Sequence, residues 1–114
     1  MVSLPFVVNI LGIDYTLTKS TEKQDKNLIN NNAYCDVTTK QIVIDEHWSK
    51  DSNVGDPYVY LTKIVRHEII HAFLYESGLD ECAKFDEEHF EQLVDWIAIQ
   101  HEKIHKVYEL LEIV

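Results

Sequence analysis

The hydrophobic pattern of this chain changes period once, at Asp56-Pro57. Asp is a preferred helix N-cap, and Pro, which has no N–H to lose, suits the first helical position. Beyond it Tyr60, Leu61, Ile64, Val65, Ile69, Ala72 and Phe73 recur at helical spacing. Ser77-Gly78 ends that helix, with Gly in the usual left-handed terminal position. After a short acidic loop, Phe90, Leu93, Val94, Ile97, Ile104, Tyr108 and Leu111 form one stripe on a second helix, over about 86–112. Before Asp56 the pattern is β-like. Residues 6–17, FVVNILGIDYTL, read as one strand bent at Gly12, and residues 33–36 and 41–45 as two short strands joined by a hairpin. Residues 19–32 and 46–55 are polar and read as loop. The expected fold is α+β: a small antiparallel sheet of about three strands packed on two long helices, in one domain over residues 1–114.

Charge narrows the partners. Ten Lys and Arg face 20 Asp and Glu, for a formal net charge of −10. Such a surface repels phosphate and argues against nucleic acid and anionic membranes as partners. The two cysteines, Cys35 and Cys82, are no disulfide framework and read as reduced thiols. The first basic residue is Lys19, so the apolar start lacks a signal peptide's basic region. No apolar run reaches the roughly 18 residues of a membrane span. A cytoplasmic protein is expected.

His67-Glu68-Ile69-Ile70-His71 is H-E-x-x-H inside the first long helix. Residues i and i+4 share a helix face, so two imidazoles there can close on one Zn²⁺. Glu68, about 100° around the helix from His67, flanks the ion as general base for a zinc-bound water. A second copy, His101-Glu102-Lys103-Ile104-His105, has Lys103 inside it and Lys106 beside it. Lysines repel a cation, so this copy reads as structural, with His101 in the apolar stripe and His105 at its edge.

A catalytic zinc needs a third protein ligand. Glu91, 20 residues after His71, is the leading candidate, ahead of His89, Glu87, Glu88 and Cys82. Glu91 and Asp95 form E-x-x-x-D on one helix face, so Asp95 can accept the second N–H of a ligand histidine. His47, Trp48 and Trp96 read as exposed or packing residues, and Tyr60 and Tyr75 as phenols near the motif helix.

HEIIHAFLYESGL followed by EQLVDWIAIQ resembles the gluzincin-type zincin metallopeptidases. With the hairpin YCDVTTKQIVID before it, the layout is similar to the small phage- and prophage-type metallopeptidases related to the ImmA/IrrE-like family. The resemblance spans roughly residues 6–100. It implies a zincin-like fold and a zinc-dependent endopeptidase. His67, His71 and Glu91 would be the metal ligands, Glu68 the general base and Asp95 the residue behind a ligand. It also implies a protein or peptide substrate, a repressor among the candidates, bound by strand addition, here at Gln41–Asp45. The alternatives are a non-catalytic, metal-binding regulatory protein acting on a protein partner, and an acidic DNA mimic.

Overall fold

The computed structural model describes residues 1–48, 55–82 and 90–114, and the side chains of these except at 81, 82, 90, 91 and 94. Four strands, β1 (Phe6–Ile10), β2 (Ile13–Ser20), β3 (Ala33–Asp36) and β4 (Gln41–Asp45), precede three helices, α1 (Pro57–Glu76), α2 (Leu79–Cys82) and α3 (Phe90–Leu111). The class is α+β, as expected, but the sheet has four strands in the order β1-β2-β4-β3 and is mixed. β1–β2 and β3–β4 are antiparallel, whereas β2–β4 is parallel, with Leu17 opposite Ile42.

The fourth strand arises where one bent strand is expected. Leu11 and Gly12 both have positive φ, 53° and 94°, as a two-residue hairpin turn needs. The Gly12 N–H donates to Asn9 Oδ1 at 3.0 Å, and Asn9 Nδ2 donates to Asp14 Oδ1 at 2.9 Å. Two side chains therefore brace a turn that puts Leu in a backbone conformation branched residues avoid. β2 also runs on to Ser20, into the stretch expected to be loop, and Lys26–Leu28 form a 3₁₀ turn.

One face of the sheet carries the core. Val8, Ile10, Tyr15, Leu17, Ile42 and Ile44 pack with Val65, Ile69, Ala72 and Phe73 of α1 and Trp96, Ile104, Val107 and Leu111 of α3. Ala33 and Cys35 of β3 pack on the same cluster. Side chains alternate along a strand, so Tyr34 faces the other way. Its hydroxyl donates to the Asp25 carboxylate, which places the segment around the 3₁₀ turn, with buried Leu28, over the opposite face.

The helix ends follow the sequence. Asp56 accepts from the Tyr58 and Val59 N–H groups, a cap worth about 1 kcal/mol. Gly78, at φ 80°, closes α1. At the other end of the chain Glu112 takes φ 58° and the Ile113 N–H reaches the Tyr108 carbonyl at 3.0 Å. That Schellman turn aims the Ile113 carbonyl at Arg66, whose Nε donates to it at 2.7 Å. Tyr58 Oη donates to the Glu112 carbonyl at 3.1 Å, so the chain end clasps the first half of α1.

Among the described residues, the buried stripe of α3 is Trp96, Gln100, Ile104, Val107 and Leu111. It is turned by roughly 60° from the expected one, taking 100° per residue. Ile97, expected inside, is 51% exposed. His101, expected within the stripe, is exposed, as is His105. Trp96 is buried as expected, and its Nε1 donates to Ser77 Oγ at 2.8 Å, fastening α3 to the end of α1. Among the described residues no helix is long and apolar enough to cross a membrane.

Candidate metal centre

α1 buries Val65, Ile69, Ala72 and Phe73, which turns His67 and His71 away from the core. Both imidazoles are exposed, and their Nε2 atoms stand 3.1 Å apart. Two nitrogens on one tetrahedral zinc stand about 3.3–3.4 Å apart when each bond is 2.0–2.1 Å. The pair is therefore spaced to share a cation, or a proton when one ring is neutral. Glu68 is only 6% exposed, and the donor atoms of His67, Glu68 and His71 all lie within 4.8 Å of one another. A borderline nitrogen pair beside a carboxylate suits zinc and other late first-row divalent ions.

Burial pushes the Glu68 carboxyl above the usual carboxylate range, while His67 and His71 draw it back down.

These residues line a cleft of about 620 Å³ between α1 and β3. Strand and helix run in the same sense. Asn32 Nδ2 donates to Tyr60 Oη at 3.0 Å, Cys35 stands close enough to Glu68 to feel its charge, and Lys40 Nζ meets Glu76 Oε2 at 2.7 Å. Burial first, then the Glu68 charge, pushes the Cys35 thiol up to about 12, so it lines the cleft as a neutral group.

β4, expected to bind substrate, lies between β2 and β3 and has both edges paired. It cannot accept another strand. Among the described residues, the unpaired edge on this side of the sheet belongs to β3. Its register shows what it offers. The Asp45 N–H donates to the Asn32 carbonyl at 2.9 Å, so alternation turns the N–H and C=O of Ala33 and Cys35 outward.

The other sequence candidates fall as follows. The side chains of Glu91 and Cys82, and all of Glu87, Glu88 and His89, lie outside the described residues. Asp95 is exposed on α3, and no hydrogen bond joins it to His67 or His71 among the described residues. His47 is exposed and borders a different hollow, with Thr21 and Asp45. Tyr60 lines the cleft, whereas Tyr75 has Lys40 Nζ over its ring, 4.8 Å from the centroid. Trp48 packs at 6.3 Å from the Tyr60 ring. Sequence reasoning missed Asn32, Cys35, Lys63 and Asp80 as cleft residues. Of these only Lys63 carried a signal, since it stands four residues before His67 on the same helix face.

No protein-family model, no curated protein and no solved structure matches this chain.

Proposed function

We propose that this protein is a zinc-dependent peptidase of the gluzincin type. The observation that carries the reading is the pair of Nε2 atoms 3.1 Å apart beside a buried carboxylate, in a cleft walled by a free strand edge. His67 and His71 would hold the ion, with Glu91 as third donor and Asp95 orienting a ligand histidine. An ion there supplies Lewis acidity toward water and a carbonyl oxygen.

The chain's own groups account for the rest. An extended peptide takes the outward N–H and C=O groups of Ala33 and Cys35, which lays its backbone along the cleft. Glu68 accepts a proton from the attacking water as the oxygen bonds to the carbonyl carbon. It returns that proton to the amide nitrogen as the C–N bond breaks, so the products are a carboxylic acid and an amine. Tyr60 already accepts the Asn32 amide hydrogen, so its own hydroxyl hydrogen is free to donate toward a bound peptide.

The test is cleavage of an unfolded protein such as reduced casein, followed by mass spectrometry. Chelator-stripped protein is expected to be inactive and to recover on adding zinc. Zinc-loaded protein that cuts no substrate would place the chain among metal-binding regulators instead.

A further inference from the structure

The two ends of the cleft carry opposite charge. Lys63 stands at one end, one helical turn before His67, and Asp80 at the other, just past the α1 terminus at Gly78. Both are exposed, and neither has an ion-pair partner among the described residues. The other histidine and carboxylate side chains of the lining are the three of the metal centre, which lie between them. Charged side chains left unpaired at the ends of a groove discriminate between ligands by attraction and by repulsion.

Direction follows from the fold. Because β3 and α1 run in the same sense, Lys63 lies toward the start of β3 and Asp80 toward its end. Antiparallel pairing gives the straighter hydrogen bonds, so a peptide added to β3 runs from the Asp80 end to the Lys63 end. From Lys63 to the middle of the motif is six residues of helix, about 9 Å. At about 3.4 Å per residue an extended peptide covers that in two to three residues.

We propose that the cleft selects peptides by charge polarity: a Lys or Arg before the cleaved bond, near Asp80, and an Asp or Glu two to three residues after it, near Lys63. This rests on the peptidase reading above. Among the described residues, Lys63 is the lysine or arginine that lines the cleft of this strongly acidic chain.

The experiment uses the full zinc-loaded chain and two peptides that differ only in order. One has Lys before and Glu after an uncharged core of roughly four to five residues, and the other has them reversed. The Lys-first peptide is expected to be cut roughly tenfold faster in kcat/KM, the size that two exposed charge pairs can supply. Lys63→Glu and Asp80→Lys are each expected to erase most of the preference, and the double variant to invert it. Equal rates for both peptides, a preference for the reversed one, or a preference that all three variants keep would overturn the proposal. Those results are distinct from failure of the peptidase reading, in which neither peptide nor casein is cut.

Discussion

The two H-E-x-x-H segments, on α1 and α3, share their spacing and differ in how their helices are rolled. On α1 the buried direction runs through Val65, Glu68, Ile69 and Ala72, so the glutamate sits inside while the histidines face out. On α3 it runs through Gln100, Ile104 and Val107, and Glu102 points outward with both histidines. The difference is about a quarter turn at 100° per residue. In the first segment the imidazoles converge, with Nε2 atoms 3.1 Å apart. In the second the rings stack 6.2 Å apart, and His105 Nε2 turns to Glu109 at 3.1 Å. Spacing alone makes a chelating pair possible. A buried carboxylate, and a strand edge facing the pair, come only from the roll of the helix.

The comparison is most sharply broken by exchanging the glutamates. Glu68→Gln is expected to lower kcat by about 10²–10⁴-fold while zinc stays bound, as for loss of a general base. Glu102→Gln should leave the rate unchanged, and equal losses in both variants would erase the distinction. The histidines come next. His67→Ala should weaken zinc binding by roughly 100-fold or more, read by competition with a chromogenic chelator, whereas His101→Ala should keep one tightly held ion per chain.

A third contrast concerns stability. Ile69 and Ile104 are buried isoleucines inside the two motifs, 0% and 8% exposed. Replacing Ile69 with Ala should cost about 2–5 kcal/mol in urea denaturation, and replacing Ile104 the lower part of that range. Lys103→Ala, in the same turn as Ile104 but exposed, should stay within about 0.5 kcal/mol.

pH separates the motifs more gently. The Glu68 carboxyl is raised by burial, so the folded state prefers its protonated form. Its contribution to stability is present below the unfolded value, about pH 4.3, and is lost as pH rises through the folded value. Metal-free Glu68→Gln should therefore gain stability over the wild type as pH rises above about 4.3, and Glu102→Gln should not. The smallest effect is at the exposed His105–Glu109 pair, where His105→Ala should cost no more than about 0.5 kcal/mol, and less in high salt.

Much of the architecture was legible because its signals are local. Asp56-Pro57 opens α1 and Ser77-Gly78 closes it as read, and β3 and β4 occupy the residues expected of them. Misreadings have equally local causes. Leu11-Gly12 lacks the Asn-Gly signature of a tight hairpin, so the Asn9 side chain that braces it left no recognisable trace. Gln100 is polar yet 9% exposed, and counting it as outward tilted the expected stripe of α3 toward Ile97 and His101.

The site divides along the same line. By itself the sequence determined that His67, Glu68 and His71 share one helical stretch at chelating distance, because i and i+4 geometry is set by the backbone within one turn. It also determined the helix ends, since capping is satisfied by adjacent residues. Only the tertiary structure decided that β4 lies inside the sheet and β3 at its edge, that α1 and α3 present different faces to the core, and that Lys63 and Asp80 close the ends of one cleft. Those outcomes depend on burying the apolar faces of all the strands and helices together, a condition no short stretch of chain expresses.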